Sequence, residues 1–439
     1  MALDFLFLYE HIVREFENNC LLMAELESRG YRCELFQLMD RKRLRYFLWD
    51  KPRVIVTSAM YNNETLNSFV YNNVGRLDRV VNLHWEEVLS REQEESAFYN
   101  LSENAARCTH ICWGQAARDR IVRNGVPGNN AVITGAVQLD FLRSEFDAYY
   151  LNRSQLAGSY HLDTGRKWLC YISSFSCAWM DDKEISELNE MTDLDFAGFK
   201  AVGARSMKVT LEWFERLLGE RDDIELIYRP HPNEWDSPPL HAMEQACPRF
   251  HVIRDFSVKQ WVKECDILLT WMSTSIAEVY YAGKSCLVLR PEPLHDDYDP
   301  VTYENVDAIT CYDELATRLR NGPLRFPIDR SVMESHYDVD ADRPAYRRLG
   351  DLLEWTHRNE PRDYPFSEGY KPRFNLLKFV VLIGLHILIG LHINPHWFDF
   401  LGKKFTDQTE RLMDYYRKAT VSKKDIRAKV EELKGYLLP

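Results

Sequence analysis

Two short segments carry side chains whose types and spacing suit the binding of a phosphate group. In Ile227–Trp235 an apolar run ends in Arg-Pro-His-Pro-Asn-Glu-Trp, and in Asp266–Ser275 another apolar run ends in Thr-Trp-Met-Ser-Thr-Ser. Ligands of open α/β sheets bind just beyond the carboxyl ends of the strands. We therefore predict that both segments are strands whose ends meet at one anionic ligand.

Five polar residues of these turns are the predicted ligands of that anion. Arg229 and His231 would bring positive charge and hydrogen-bond donors to the anion. Ser273, Thr274 and Ser275 would add hydroxyl and backbone N–H groups at the start of the helix that follows. Two alternatives stay open, because Arg229 can be a surface strand residue and a Ser-Thr-Ser run is also an ordinary N-cap.

One further turn of the second half and one more residue of the first motif extend the predicted phosphate site. Ser173 and Ser174 follow the apolar run Trp168–Ile172, and their small hydroxylated side chains would let a phosphate approach, although they can equally cap a helix. Glu234 is the carboxylate best placed to hold a ribose or a cytosine, unless it caps the turn after the histidine. Together these residues form the predicted donor-binding set.

The first half of the chain offers candidates for a general base. Asn82–Glu87 reads Asn-Leu-His-Trp-Glu-Glu and ends a predicted strand. His84, Glu86 and Glu87 can each accept a proton if the site is shielded from water, and a carboxylate there could instead attack the donor carbon. Glu86 and Glu87 can also be the acidic first turn of a helix, which favours negative charge.

A scaffold of parallel strands must bring these residues together, and the hydrophobic pattern predicts one. Short apolar runs alternate with amphipathic stretches, as expected for parallel sheets covered by helices. The predicted strands of the first series are Asp4–Tyr9, Cys33–Leu38, Val54–Thr57, Val80–His84, His110–Trp113 and Ala131–Val137. Those of the second series are Trp168–Ile172, Ile224–Arg229, Phe250–Ile253, Ile267–Thr270 and Cys286–Leu289. Predicted helices include Glu15–Arg29, Gln115–Arg123, Phe199–Leu218 and Ile276–Ala282.

The two series predict two domains separated by the polar stretch Ser154–Arg166. We place an N-terminal acceptor domain at 1–153, a C-terminal donor domain at 167–335, a return segment at 336–374 and a tail at 375–439. The predicted fold class is α/β, with two Rossmann-like domains facing a cleft. Such a cleft suits group transfer, because closure excludes water that would hydrolyse the donor.

Composition narrows the class of protein. A formal charge of −12 argues against a general nucleic-acid binder, which usually has a basic surface. The ten cysteines lack the paired spacing of a disulfide framework, so we predict buried thiols. We predict no metal site at Cys108 and Cys112, and the chain lacks the basic and apolar start of a signal peptide.

The tail predicts contact with a membrane surface. Asn375–Ile393 is strongly apolar, but its uninterrupted core is short of the roughly 20 residues that cross a bilayer. An interfacial or re-entrant helix with Lys378 snorkelling fits better than a span, and a buried core helix is the alternative. The segment 409–438 is predicted as a basic amphipathic helix, since Leu401–Pro439 has ten Lys and Arg against six Asp and Glu. It would suit an anionic membrane or pair with itself in a homodimer.

The two motifs and their order resemble those of GT-B glycosyltransferases of bacterial surface polysaccharide synthesis. The resemblance rests on the HP pair at His231 and on the serine motif at Ser273–Ser275, where a relative would often have paired serines. That branch includes Kdo transferases, bacterial sialyltransferases and, more distantly, CDP-glycerol glycerophosphotransferases. Their histidine and serine motifs contact the phosphate of a cytidine nucleotide donor, which implies the same here. The CDP-glycerol enzymes also place a histidine base at a position like that of His84.

The resemblance implies a glycosyltransferase that moves a sugar, with Kdo from CMP-Kdo as the leading expectation, to a surface glycan or glycolipid. It implies no cofactor and no bound metal ion. The alternatives are a CDP-glycerol-type transferase, a nucleotide-sugar 2-epimerase of the same fold and a non-catalytic nucleotide-sugar-binding assembly protein. We expect a cytoplasmic protein, peripheral or monotopic on the inner face of the cell membrane.

Overall fold

The computed structural model describes residues 3–38, 40, 43–58, 60–95, 100–191, 194–234, 237–322, 324–359 and 366–438. Trp235, which ends the first motif, and the side chain of Lys378 lie outside this description. The first six strands are β1 (Phe5–Tyr9), β2 (Cys33–Gln37), β3 (Val54–Thr57), β4 (Val80–Asn82), β5 (Thr109–Cys112) and β6 (Ala131–Ile133). The next six are β7 (Lys167–Ile172), β8 (Ile224–Arg229), β9 (Phe250–Val252), β10 (Ile267–Thr270), β11 (Ser285–Leu289) and β12 (Ala308–Ile309).

Helices connect the strands and continue beyond them. The first ten α-helices are α1 (Ile12–Ser28), α2 (Arg43–Leu48), α3 (Asn63–Thr65), α4 (Asn72–Val74), α5 (Arg91–Glu95), α6 (Gln115–Arg123), α7 (Val137–Asp140), α8 (Arg153–Tyr160), α9 (Asp182–Met191) and α10 (Phe196–Glu220). The later ones are α11 (Pro238–Ala246), α12 (Val258–Glu264), α13 (Ile276–Tyr281), α14 (Tyr312–Asn321), α15 (Arg330–His336), α16 (Ala345–Arg358), α17 (Leu376–Gly390), α18 (Lys403–Ala419) and α19 (Lys423–Lys434). A π-helical stretch is Leu66–Tyr71, and 3-10 turns include Phe175–Trp179, Val301–Tyr303 and Pro395–Leu401.

Both sheets are six-stranded and parallel, which confirms the predicted α/β class. The first sheet has the order β2-β1-β3-β4-β5-β6, and the second has the order β12-β11-β10-β7-β8-β9. The second order is that of a Rossmann fold, in which the strand order reverses at one central point. Most strand residues are buried, because helices cover both faces of a parallel sheet.

All eleven predicted strands are present, and two of them end two or more residues before the predicted end. The strand expected to reach His84 ends at Asn82, and the one expected to reach Val137 ends at Ile133. In each case a residue with positive φ follows, at +50° for His84 and +81° for Gly135, and a strand cannot continue through that conformation. The two-residue strand β12 was not predicted.

The stretch 154–166, predicted as a linker, is helical over 154–160. It forms most of α8, which begins with a capping box in which Asn152 and Gln155 exchange side-chain and backbone hydrogen bonds. The Asn side chain satisfies a backbone N–H that the first turn would leave unpaired, and this starts a helix in a polar sequence.

The chain divides into two compact units at residues that differ from the predicted domain bounds. The first unit comprises 1–87, 100–137 and 338–439, and the second comprises 88–99 and 138–337. The C-terminal segment therefore belongs to the unit of the first sheet. Within that unit Arg29 of α1 pairs with Glu354 of α16, and Arg427 of α19 pairs with Glu27 of α1.

The C-terminal helices correct part of the membrane prediction. The apolar side chains of α19, namely Ile426, Val430 and Leu433, are buried where α19 packs on α1, so they are not available to a membrane. In contrast, α17 has many exposed apolar side chains. Among the residues that the structure describes, no helix combines the length and hydropathy of a membrane span.

Gly135 marks the place where the chain leaves the first unit and later returns to it. The returning Asp338 donates its N–H to the Trp113 carbonyl at 2.7 Å, and Arg348 donates to the Asp338 carbonyl at 2.6 Å. A Cβ on Gly135 would lie 2.5 Å from that same carbonyl oxygen and would also meet the Arg348 guanidinium. The position therefore needs glycine both for its φ and for space.

We expect Gly135→Ala to lower the free energy of unfolding of the first unit by about 3 kcal/mol, from left-handed strain and overpacking together. Gly30→Ala is the matched control, because Gly30 has φ +90° and open space around its Cβ position. That control should cost only about 1–2 kcal/mol. Urea unfolding measures both, and equal losses would show that the close approach at Gly135 is unimportant.

Candidate functional site

Three neighbouring strands of the second sheet end in the polar turns identified from the sequence. Because β10, β7 and β8 are adjacent and parallel, their carboxyl ends lie side by side. Ser273–Ser275 follow β10, Ser173 and Ser174 follow β7, and His231 and Glu234 follow β8. The strand order reverses between β7 and β10, which is where open α/β sheets bind ligands. The turns that carry Ser173, His231 and Ser273 thus follow three adjacent strands around the switch point of this sheet.

A buried hydrogen-bond network holds the turns after β7 and β8 together. The Ser173 hydroxyl donates to Glu234 Oε2 at 2.5 Å, and the Tyr228 hydroxyl donates to Glu234 Oε1 at 2.7 Å. The backbone N–H of His231 also donates to Glu234 Oε2, at 3.3 Å. Burial raises the pKa of the Glu234 carboxyl, and the bonds from Ser173 and Tyr228 oppose that rise. Both of its oxygens accept protein donors, and its contact with ribose or cytosine stays a prediction.

His231 presents a neutral imidazole at the end of β8. Its Nδ1 accepts the backbone N–H of Asn233 at 3.2 Å, so the neutral ring carries its proton on Nε2. Burial lowers the pKa of His231 below 6.5, which keeps the ring uncharged at neutral pH. The side chain remains partly exposed. His231 therefore offers a neutral N–H donor in place of the expected positive charge.

Arg229 forms hydrogen bonds to a neighbouring loop of the second unit. Its guanidinium donates to the backbone carbonyls of Ile253 at 3.4 Å, of Asp255 at 2.8 Å and of Phe256. These bonds hold the turn after β9, in which Phe256 has φ +65°. The observed contacts give Arg229 a structural part, and direct binding of phosphate by Arg229 stays a prediction.

The loop after β10 is anchored through its backbone. The N–H of Ser273 donates to Thr270 Oγ1 at 3.2 Å, and the N–H of Ser275 donates to Ser273 Oγ at 3.2 Å. Ser174 Oγ accepts the N–H of the residue before Ser273, at 3.3 Å. Thr274 is exposed, while Ser273 and Ser275 are partly exposed. The hydroxyl hydrogens of this loop can therefore turn towards a ligand.

Sequence reasoning missed two residues that support this loop from the side of β11. The Tyr303 hydroxyl donates to the Ser273 carbonyl at 2.7 Å. Arg290, which follows β11, is buried and ion-paired with Asp299, and its guanidinium lies 5.5 Å from the centre of the Tyr303 ring. The sequence did show an arginine, Arg290, just after a predicted strand. Its link to the serine loop follows only from the pairing of β11 with β10, which the sequence does not reveal.

In the first unit, His84 follows β4 in a strained backbone conformation. A φ of +50° costs a non-glycine residue about 1–3 kcal/mol and often marks a functional position. Burial holds the pKa of His84 well below its usual value, and His110 adds to that effect. Among the described residues, His84 Nε2 is buried without a hydrogen-bond partner. The ring is therefore uncharged at neutral pH, and one of its two nitrogens carries no proton.

The two acids after His84 have different surroundings. Glu86 is partly exposed and forms an ion pair with Arg14 at the start of α1. Glu87 is buried, and its Oε2 accepts the N–H of Trp113 at 2.6 Å. Burial holds the pKa of the Glu87 carboxyl well above its usual value. The observed contacts make Glu87 a tie between the ends of β4 and β5, and its catalytic role stays a prediction.

The switch point of the first sheet lies between β1 and β3, and sequence reasoning missed the residues there. Glu15 of α1 accepts the Ser58 hydroxyl at 2.6 Å, the Glu10 N–H at 3.0 Å and the His11 N–H at 3.2 Å. Burial raises the pKa of the Glu15 carboxyl. The sequence does not reveal strand order, so it could not single out this position.

Together, the second unit has uncharged hydroxyl and N–H groups in the turns after its strands, and the first has the uncharged imidazole of His84 after β4. All ten cysteines are free thiols, and eight of them are buried. In the part of the chain that the structure describes, no group of three or more His, Cys, Asp or Glu residues is arranged to hold a metal ion.

Comparison with known proteins identifies the fold. No protein-family model matches the chain, and no curated protein sequence matches it. The UDP-GlcNAc 2-epimerase from Neisseria meningitidis, solved with bound UDP-GlcNAc, has a TM-score of 0.52 and 11% identity, over 82% of this chain and 100% of that chain. The wall teichoic acid polymerase TagF has a TM-score of 0.52 and 13% identity, over 81% of this chain and 89% of that one. The chain therefore has a GT-B-type fold.

We expect Glu87→Gln to change the pH dependence of stability. The raised pKa means that the folded protein holds the Glu87 proton more tightly than the unfolded chain does. The stability contributed by this carboxyl is fully present below the unfolded pKa and is lost as pH rises through the raised folded pKa. Glutamine keeps an acceptor for the Trp113 N–H but cannot ionise.

The free energy of unfolding of Glu87→Gln should therefore rise relative to that of the wild type by more than about 1 kcal/mol between pH 5 and pH 8, because one pKa unit corresponds to about 1.4 kcal/mol. Urea unfolding of both proteins at several pH values measures this difference. The contributions of all other carboxyls are the same in both proteins and therefore cancel. Parallel pH profiles for the two proteins would contradict the raised pKa.

Proposed function

We propose that this protein is a glycosyltransferase that uses a nucleotide-activated sugar and a glycan or glycolipid acceptor. One observation carries the proposal: the motifs at Ser173, His231 and Ser273 follow three adjacent strands at the switch point of a Rossmann-like sheet. Phosphate groups suit such a position, because hydroxyl and backbone N–H groups of the turns after strands can donate hydrogen bonds to phosphate oxygens. The GT-B-type fold is compatible with this chemistry, although fold alone does not define function.

The donor site would act on the leaving nucleotide. Negative charge grows on the phosphate as the bond to the sugar breaks, so donors fixed there bind the transition state more strongly than the substrate. Hydroxyls of Ser273 and Ser275 and the Nε2–H of His231 are the proposed ligands. Neutral donors suit this task, because they require no charged partner when the site is empty.

The acceptor would be activated in the first unit. The proposed base is His84, whose neutral ring and unpartnered Nε2 suit proton removal from an acceptor hydroxyl. Glu86 is the alternative base, because it is accessible, but it would first have to leave Arg14. Glu87 would hold the strand ends that position both residues.

The identity of the donor is the finer part of the proposal. The resemblance of the HP and serine motifs favours a cytidine nucleotide, with CMP-Kdo as the leading donor and CDP-glycerol as the rival. The epimerase with the same fold was solved with UDP-GlcNAc, so a 2-epimerase that uses a uridine nucleotide is the second candidate function. An epimerase would need no acceptor.

A screen of thermal unfolding with CMP, CDP, UDP and GDP tests the donor site. A bound nucleotide stabilises the folded protein by about 2.7 kcal/mol at a concentration 100 times its Kd. We expect CMP to raise the unfolding temperature and His231→Ala to remove most of that rise. The matched control is His241→Ala, an exposed histidine of the same unit, which should respond like the wild type. Stabilisation by UDP alone would contradict the cytidine assignment.

Turnover of the base variant separates the candidate functions. Asparagine tolerates positive φ, so His84→Asn removes the imidazole without added backbone strain. We expect it to lower acceptor-dependent nucleotide release by about 10²–10⁴-fold while CMP binding persists. Loss of turnover in Glu86→Gln with normal turnover in His84→Asn would transfer the base role to Glu86. Acceptor-independent isomerisation of the sugar would support the epimerase, and binding without any turnover would support an assembly protein.

A further inference from the structure

An apolar surface lies on the outer face of α17 and continues into the turn after it. Leu377 is 75% exposed, Trp397 is 72% exposed and Phe400 is 79% exposed. Other exposed apolar side chains of the same segment are Leu376, Val380, Val381, Ile383, Ile387, Leu391 and Phe405. Exposed apolar groups in such a run are rare on a soluble surface and mark a site of contact.

The opposite face of α17 is held firmly by α18. Leu382 and Leu385 are buried in a small core with Met413. The ring of His386 lies 4.6 Å from that of Tyr416, measured between centroids. Packing of this kind fixes the rotation of α17, so the exposed side chains form one defined outer face.

The length of α17 excludes a span and suits a position along a surface. Its 15 residues extend about 22 Å, while the hydrocarbon core of a bilayer is about 30 Å thick. Trp397 and Phe400 follow the helix, and aromatic side chains favour the boundary between lipid and water.

The charges around this face favour an anionic partner. From Lys371 to Leu438 there are thirteen Lys and Arg against seven Asp and Glu, in a chain whose total charge is −12. Lys403 and Lys404 are exposed beside the apolar turn. His396 lies against three carboxylates, those of Asp399 and Glu410 at 3.1 Å and that of Asp407 at 3.9 Å, so the positive charge beside the turn comes from Lys403 and Lys404.

We propose that α17, the turn Pro395–Leu401 and the first turn of α18 form a monotopic docking surface for an anionic lipid bilayer. The apolar face would enter the boundary of the bilayer, and Lys403 and Lys404 would contact anionic headgroups.

The docking surface is connected to the end of β1 in the first unit. The Tyr415 hydroxyl of α18 donates to the Glu10 carbonyl at 3.4 Å, and the N–H of Val421 donates to the Tyr9 hydroxyl at 3.0 Å. Glu10 and Tyr9 lie at the carboxyl end of β1, the edge that carries the candidate base. A bound bilayer would therefore place lipid-linked molecules on the unit proposed to bind the acceptor.

Flotation of the full-length protein with vesicles tests the docking surface. We expect strong binding to vesicles that contain phosphatidylglycerol and weaker binding to pure phosphatidylcholine. Leu377→Gln with Trp397→Ala should weaken both by about tenfold or more, because two exposed apolar anchors are lost. The matched control is Leu48→Gln with Trp49→Ala, a leucine and a tryptophan that are 48% and 75% exposed elsewhere in the first unit. This control should bind like the wild type.

A second pair of variants tests the charges. Lys403→Gln with Lys404→Gln should weaken binding to anionic vesicles about tenfold and leave binding to neutral vesicles unchanged. Lys208→Gln with Arg325→Gln, two exposed cations of the second unit, should have no effect. Thermal unfolding confirms that each variant is folded.

Three outcomes would overturn the proposal: no vesicle binding by the wild type, equal losses in the control variants, or a wild-type dimer that the α17 variant makes monomeric while vesicle binding is unaffected. The last result would identify a second copy as the occupant of the apolar face. Because vesicle binding is measured without substrate, failure of the proposed transferase activity would leave this test intact.

Discussion

The buried carboxyl of Glu234 is the interaction on which the arrangement of the second sheet edge depends. It receives the Ser173 hydroxyl from the end of β7, the Tyr228 hydroxyl from within β8 and the His231 N–H from the turn after β8. Parallel strands place their ends side by side, but they do not fix the turns that follow. A single acceptor with two oxygens, removed from water, holds those turns in one geometry.

The first sheet has a buried glutamate carboxyl with the same role at two places. Glu15 ties the start of α1 to Ser58 after β3, and Glu87 ties the end of β4 to Trp113 after β5. Burial raises the pKa of all three glutamates, so the ends of the strands are held by carboxyls that resist ionisation. Candidate chemistry in both units therefore rests on buried acids that support neighbouring groups.

The C-terminal segment combines two physical roles. Through α16 and α19 it packs on α1 and completes the first unit, while α17 keeps an exposed apolar face. An amphipathic pattern alone does not distinguish these cases, because the same periodicity serves an internal packing face and a membrane face. The observed burial of Val430 and exposure of Leu377 separate them.

The sequence by itself determined eleven of the twelve strands that the structure describes, the parallel α/β class and the polar turns that end β7, β8 and β10, because hydrophobic runs and turn residues are local signals. Tertiary structure alone decided the strand order, and with it the switch points, the adjacency of the strands that Ser173, His231 and Ser273 follow, and the position of Glu15. It also decided which polar groups are solvated. Desolvation depends on the residues packed around a side chain, so the neutral state of His231 and the contacts of Arg229 could not be read from their neighbours in the chain.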